Sequence, residues 1–497
     1  MDIHKDLINQ IKEFVDLEKV NSEEDILNSL KSQQETPKLK YLIAWLLFDV
    51  GVRNDDLDKI NESIEIFEEI KEQDFDFVNY YLGTLFLAKY YLLKPKYLED
   101  SEKLLFNSKL YLKQELLNNS PETFREANVN LGIVYNILGR TIEALNCFDN
   151  VLEYHNSTYA LYNKGYALYT YSFFSVNPSL MIRDAYKCFK KVLEDDNFSY
   201  EMKVKSKGYI DEILNVFEDD ILESEFDEEF EIEVEDDFEW FMINYCWNNR
   251  LYLNLCNFCQ KCENAIGDKI VIEKMINEIS EDGENDFFLV LSSYLNQLKM
   301  DYVSARFSLI LSQYEGFDLD IITKHVFIVD TQFSEENNIR IQLLKDAFKN
   351  FFNILDKIAY FINDYLELDI GQDKVNFRSV WFKYKYDKKK KRNIKFHNKK
   401  LIDMNNVGLT ALYDIYLELE YGNEKEYLRN TRNSLTHKYL RITENPGENS
   451  KTVEELHNET IEVAILAKNA IIYLMRLVKI NEEQKEIELD VEFEKIE

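Results

Sequence analysis

Only 13 glycines and 5 prolines punctuate these 497 residues. A β-sandwich, a barrel or a doubly wound sheet reverses direction often and needs such residues at its turns, so the chain is expected to be all-α. Hydrophobic residues make up 45% of it and aromatic residues 14%. That is enough to fill large packed cores and excludes a wholly disordered polymer. The length accommodates roughly three or four ordinary domains.

Acidic residues outnumber basic ones by 92 to 59, for a net charge of -33. The opening MDIHKDLINQIKEFVD is charged throughout and lacks the apolar core of a signal peptide. The strongest apolar run, Tyr41 to Val52, is too short to span a bilayer and already contains Asp49. Six cysteines in a chain of this size fit a reducing compartment better than a disulfide scaffold. Together these features predict a soluble cytoplasmic protein with no membrane partner.

The charge falls in blocks. Glu218 to Glu239 holds many carboxylates and no Lys or Arg. It reads as a solvated linker, or as a docking site for a basic partner or for the chain's own basic segment. Within it, Phe230, Ile232 and Val234 alternate as a short strand would. The opposite block, KYKYDKKKKRNIKFHNKK from Lys383 to Lys400, has Asp387 as its only acid and carries Tyr384, Tyr386 and Phe396 among its cations. Two readings stand: a solvated, poorly ordered loop, or an arm that contacts phosphates and stacks bases. On the second, Lys388, Lys389, Lys390, Lys391, Arg392 and His397 are the RNA-binding candidates.

Repeats occupy the first half. In residues Ala127 to Asn156, Leu131, Gly132, Tyr135, Gly139, Ala144 and Phe148 fall where two antiparallel helices need small residues to approach closely. Gly165 follows Gly132 by 33 residues, and the unit begun at Tyr162 resumes at Ala185 and Phe189 after an insertion around SFFSVNPSL. Weaker units centre on Leu82, Gly83 and Phe86, and on Tyr41 to Gly51 with Ile64 to Ile70; a faint echo is Tyr294 with Ala305 and Phe307. Over residues 30 to 215 the chain resembles tetratricopeptide-repeat proteins. That resemblance implies a solenoid whose concave groove holds a peptide or partner helix.

Cys256, Cys259 and Cys262 cluster in CNFCQKC, with Cys246 ten residues earlier. Their spacing on a helix is one apolar stripe, and no second CxxC or nearby His completes a ligand set, so they read as core and no metal is expected. His4, His155, His325 and His457 are isolated and read as structural. No phosphate loop, GxSxG elbow or HExxH occurs, which removes nucleotide-triphosphate hydrolysis, esterase and zinc-protease chemistry. No cofactor is expected.

Three long amphipathic helices are expected in the last third. In Arg340 to Leu366 the stripe is Leu344, Ala347, Phe348, Phe351, Leu355, Ile358, Ala359 and Ile362. Met404 to Glu420 is stopped by Gly422-Asn423. The last helix opens at the capping box Thr452/Glu455 and runs to about Lys479, with Leu456, Val463, Ala467, Ile471, Leu474 and Val478 inward. Such helices make an antiparallel bundle.

Within it lies RNTRNSLTHKYLRI, with Arg432, Asn433, His437 and Tyr439 as RNxxxHxY. A histidine titrates nearest neutrality, so His437 suits moving the proton of a ribose 2′-hydroxyl. Arg432 offers a fixed cationic fork to phosphate oxygens. Asn433, one turn before His437, suits positioning. Asp356 and Asn363 lie on or beside the stripe of the first bundle helix, where a polar residue either reaches across to orient Arg432 or simply sits at the surface edge. The motif, over roughly residues 330 to 480, resembles the HEPN superfamily of helical ribonucleases. The resemblance implies metal-independent cleavage of single-stranded RNA by a dimer with a composite site, in a prokaryotic defence or toxin–antitoxin setting. It makes Arg432 and His437 catalytic, Asn433 positioning, and Tyr439 supporting or a target for modification. A second RNxxxH, Arg392 to His397, lies in the basic block without a trailing tyrosine or a clear helical stripe, and reads as an RNA-contacting loop or a coincidence, with the true site as the remaining alternative.

The expected organisation is a repeat domain at 1–217, an acidic linker at 218–239, a helical connector with degenerate repeats at 240–329, a HEPN-like bundle at 330–480 with the basic insertion 383–400, and an acidic tail at 481–497. The expected function is a ribonuclease whose repeats bind a protein partner or trigger. The alternative is a non-catalytic repeat adaptor whose bundle dimerises or binds RNA. The acidic surface favours the alternative; the coincidence of motif, basic block and bundle favours the nuclease.

Overall fold

The computed structural model describes residues 3–15, 22–94, 98–118, 120–173, 179–218, 222, 233–254, 266–271, 286–327, 329, 337–387, 392–402, 404–420, 425–447 and 449–496. Among them are nineteen helices and two small pairs of strands, so the all-α expectation holds. The chain divides into two compact units, Met1–Ser224 and Glu225–Glu497.

The first unit runs α1 (Ile3–Ile11), α2 (Glu23–Lys31), α3 (Pro37–Arg53), α4 (Leu57–Ile70), α5 (Val78–Leu93), α6 (Leu98–Leu117), α7 (Phe124–Ile137), α8 (Thr141–Tyr154), α9 (Thr158–Ser172), α10 (Ser179–Glu194) and α11 (Tyr200–Leu214). Polar caps start several of them. Thr36 precedes Pro37 and accepts from Leu39 N, while Asp56 accepts from Asp58 N and Lys59 N. From α3 onward each helix packs on its successor, giving the hairpins α3/α4, α5/α6, α7/α8 and α9/α10. The repeat glycines set how closely the two arms approach. A Cβ on Gly132 would lie 2.5 Å from Phe148 Cε1, and one on Gly165 would lie 2.9 Å from Phe189 Cε1. These are the residue pairs that the repeat pattern singles out, and Leu131, Tyr135, Ala144 and Phe148 are all buried. Part of the expected insertion, residues 174–178, lies outside the described residues.

The second unit begins with α12 (Asp237–Asn248), α13 (Asp286–Gln313) and the short α14 (Asp320–Thr323). Then come α15 (Ile339–Tyr365), strands β1 (Phe382–Asp387) and β2 (Arg392–His397), α16 (Lys399–Ile402), α17 (Val407–Glu420) and α18 (Glu426–His437). It closes with β3 (Arg441–Ile442), β4 (Ser450–Lys451) and α19 (Val453–Ile496). Helix α15 is the axis of the bundle and packs on α13, α18 and α19. Every residue of its expected stripe is buried, as is every one of the six on α19. The capping box forms as expected: Thr452 N donates to Glu455 Oε2 at 2.8 Å, and Glu455 N to Thr452 Oγ1 at 3.0 Å. Arg340, at the start of α15, donates to the carbonyls of Leu311, Tyr314 and Phe317 and so closes the end of α13.

Several expectations are corrected. The basic block is a hairpin of β1 and β2, not an unstructured loop, because its aromatic and β-branched residues alternate with lysines at the period of a strand. The echo of Tyr294, Ala305 and Phe307 lies on the single uninterrupted helix α13, so it is no repeat hairpin. Helix α19 continues past Lys479 to Ile496, since its polar end contains no Gly or Pro to stop it. Phe230, Ile232, Gly422, Asn423, Cys256, Cys259 and Cys262 lie outside the described residues. Among those described, no helix is long and apolar enough to cross a membrane.

His457 joins α19 to α12, its Nε2 lying 2.6 Å from Tyr245 Oη. Burial disfavours its charged form and lowers its pKa from 6.5. Below that value the unfolded chain therefore binds a proton that the folded unit resists, so stability rises with pH and is fully present only above about 6.5. A His457→Gln variant should show a smaller gain in melting temperature between pH 5 and pH 7.5 than the parent, by calorimetry at about those two pH values.

Candidate active site

Helix α18 is fastened to its neighbours along most of its length. Leu428 and Thr431 are buried, and Thr431 Oγ1 donates to Glu459 Oε2 on α19 at 2.8 Å. Glu459 is also paired with Lys451, while Glu462, one turn on, takes Lys425 and Tyr427. Arg429 reaches Glu420 of α17 at 2.9 Å and Glu426 at 2.7 Å. None of these acidic partners stands out in the sequence, because nothing in their spacing distinguishes them from an ordinary solvated face.

Arg432 then faces α15. Its Nη2 lies 3.9 Å from Asp356 Oδ2, and its guanidinium carbon sits 5.9 Å from the centre of the Phe352 ring. Asp356 is held in turn, with Oδ1 accepting from Phe377 N at 3.0 Å. The second candidate orienter, Asn363, is spent elsewhere: it accepts from Ile370 N at 3.0 Å and donates to Ile370 O at 3.2 Å. Arg432 Nη1 approaches Asn433 Oδ1 at 3.4 Å, and among the described residues its buried Nε has no hydrogen-bond partner. A cation held by one distant carboxylate, with a buried N–H unsatisfied, keeps donor capacity for an anion.

His437 is the last residue of α18 and is exposed. Five residues along a helix separate it from Arg432, about 7.5 Å of rise and about 140° of turn, within reach of one phosphodiester for a long arginine. No described residue forms a hydrogen bond or ion pair with the His437 side chain. Tyr439, two residues on, is 65% exposed. The segment after the helix is tied down where Lys345 Nζ donates to Leu440 O at 3.2 Å.

The alternative RNxxxH is laid out differently. Arg392 and His397 stand at the two ends of β2, whose backbone extends about 17 Å over five residues. His397 belongs to the hairpin root: its ring centre is 5.1 Å from that of Phe382, and its Nε2 is 3.3 Å from Tyr413 Oη. Lys395 covers the Phe382 ring at 3.4 Å and donates to Tyr416 Oη at 3.2 Å, so the root rests on aromatic residues of α17. Lys383 pairs across from the half-exposed Phe396, and the half-exposed Tyr384 across from Lys395. Lys388, Lys389, Lys390 and Lys391 lie outside the described residues, as does the side chain of Arg392.

Among the described residues no group of three or more His, Cys, Asp or Glu is placed to hold a metal ion. Cys246 is a core thiol, pushed up to about 12 by burial.

Residues 287–481 match the family described as LA2681-like HEPN. The matched stretch takes in α13, α15, the basic hairpin, α17, α18 and most of α19. No curated protein and no solved structure matches the chain. Bundle, motif and match agree on the C-terminal part: residues 287–481 are a HEPN domain of the LA2681-like family.

Proposed function

We propose that this chain is a metal-independent endoribonuclease that cuts single-stranded RNA at Arg432 and His437. The observation that carries the reading is a half-buried arginine with an unsatisfied N–H, one and a half turns before an exposed histidine, on a helix pinned inside a HEPN domain. In the reaction a ribose 2′-hydroxyl loses its proton to an imidazole and its oxygen attacks the adjacent phosphorus. Charge builds on the non-bridging oxygens, where Arg432 binds, with Asn433 holding the guanidinium fork. The 5′-oxygen leaves with a proton from a second acid, and one product ends in a 2′,3′-cyclic phosphate. A two-fold dimer through the bundle supplies that acid as His437 of a second copy. The basic hairpin, including Lys388 to Lys391 and Arg392, holds the RNA strand, with Tyr384 and Phe396 as stacking faces. Tyr439 supports the site. The biological setting we infer is prokaryotic defence or a toxin–antitoxin pair, in which the repeats bind the protein trigger.

The test is cleavage of single-stranded and transfer RNA by the full chain in EDTA. Arg432→Ala should slow it about 10²–10³-fold, and Arg432→Lys should restore only part, because a point charge replaces a planar fork. Undiminished cleavage by Arg432→Ala, or products ending in a 3′-hydroxyl, would overturn the reading. Sedimentation should show a dimer.

A further inference from the structure

The helices α5, α7 and α9, each the first arm of its hairpin, together with α11 line a groove of about 960 Å³ on the N-terminal unit. One face of α9 enters it with Tyr159, Tyr162, Asn163 and Tyr166, the i, i+3, i+4, i+7 stripe of a helix. Helix α5 adds Tyr80 and Tyr91, α7 adds Asn130, and α11 adds Tyr209. Tyr91, Tyr159 and Tyr166 remain 49%, 53% and 37% exposed. A soluble unit that presents this much aromatic surface in a concavity has a binding surface there.

The charges lining the groove decide what it takes. Arg125 is paired with its neighbour Glu126. Lys205 is paired with Glu201 at 2.7 Å. Asp195 accepts from Thr158 Oγ1 at 2.5 Å and from Asn197 N at 3.1 Å. Every charged side chain of the lining is thus already engaged within the unit. A nucleic-acid strand needs cations for its phosphates, and a charged peptide tail needs opposite charges, so neither is matched. What remains is flat aromatic surface carrying hydroxyl donors. Those hydroxyls are protonated at neutral pH, as an ordinary phenol is, and so can donate.

We propose that this groove binds an uncharged, proline-rich segment of another protein in the polyproline II conformation. Such a segment has no internal hydrogen bonds, so its carbonyls accept from tyrosine hydroxyls while its proline rings lie on tyrosine faces. The chain's own prolines, at 37, 95, 121, 178 and 446, are too scattered to supply one. The inference refines the docking role of the repeats and is independent of RNA cleavage.

The experiment probes the full-length protein against arrays of short peptides with spaced prolines in uncharged surroundings, beside acidic arrays, basic arrays and oligouridylate. The expected result is retention on the proline arrays alone, unaffected by added salt. Tyr166→Ala should weaken it about tenfold, the scale of losing one aromatic anchor. Tyr166→Phe should keep most of the binding, and Tyr200→Ala, outside the lining, should keep all of it; circular dichroism confirms that each variant is folded. Retention on charged arrays or oligouridylate, no retention on proline arrays, or equal binding by a folded Tyr166→Ala would each overturn the proposal. Since no cleavage is measured, this result stands or falls apart from the nuclease reading.

Discussion

Replacing His437 by alanine should lower the rate of single-turnover RNA cleavage about 10²–10⁴-fold, the range that a positioned general acid or base contributes. The same change should leave thermal stability where it was. His437 is exposed at the end of α18, and no described residue bonds to it, so removing its ring empties no core and orphans no partner. His397→Ala should behave in the opposite way. That ring packs against Phe382 and Tyr413 at the hairpin root, so the variant should melt earlier and lose RNA affinity while its bound substrate is still cut. Rate and melting temperature measured on both variants separate the two histidines. A His437→Ala enzyme as fast as the parent would remove that residue from the chemistry, and loss of cleavage in His397→Ala alone would move the site to the hairpin.

Gly408→Ala should be the most damaging single methyl in the second unit. Gly408 lies in the first turn of α17, where that helix meets α19 backbone to backbone. An added Cβ would land on the backbone nitrogen of Leu477 and lie 2.8 Å from both Leu477 Cα and Tyr473 O. Backbone atoms of a long helix cannot swing aside as a side-chain tip can, so one helix must shift against the other. Asn406 resists that shift, since its Nδ2 donates to Leu477 O at 2.9 Å while its Oδ1 caps Gly408 N and Leu409 N. Overpacking of this kind costs about 3 kcal/mol or more when nothing nearby can relax. By contrast, a Cβ on Gly447 meets nothing within 4 Å, and Gly447→Ala should stay within about 0.5 kcal/mol of the parent. Urea unfolding of the two variants gives the comparison directly. Equal midpoints would mean that α17 and α19 can separate freely.

Much of the fold was legible because helical periodicity is a local property. The stripe from Leu344 to Ile362 on α15, the Thr452 capping box and the close pairing of Gly132 with Phe148 each follow from residues near one another in the chain. The hairpin was harder. Alternation of aromatic and basic residues from Phe382 to His397 was visible, but the density of lysine suggested a solvated loop, and only the aromatic floor of Trp381, Tyr413 and Tyr416 explains why it pairs. The tyrosine stripe of α9 was equally plain as letters. Its meaning depends on α5, α7 and α11 arriving beside it, over distances no local pattern encodes.

The amino-acid sequence by itself determined the helical class, the repeat hairpins and the presence of RNxxxH near the end of a bundle. Each rests on the period of a helix or on the small size of a glycine, which operate within a few turns of chain. It already ranked the copy at Arg432 to His437 first, because the copy at Arg392 to His397 lacks the trailing tyrosine and a helical stripe. Tertiary structure added the backbone setting of each: the first copy lies on the helix α18, where five residues rise about 7.5 Å, and the second on the strand β2, where they extend about 17 Å. It also decided the partner of Arg432, choosing Asp356 over Asn363, because the loop after α15 consumes the asparagine and leaves the aspartate facing α18.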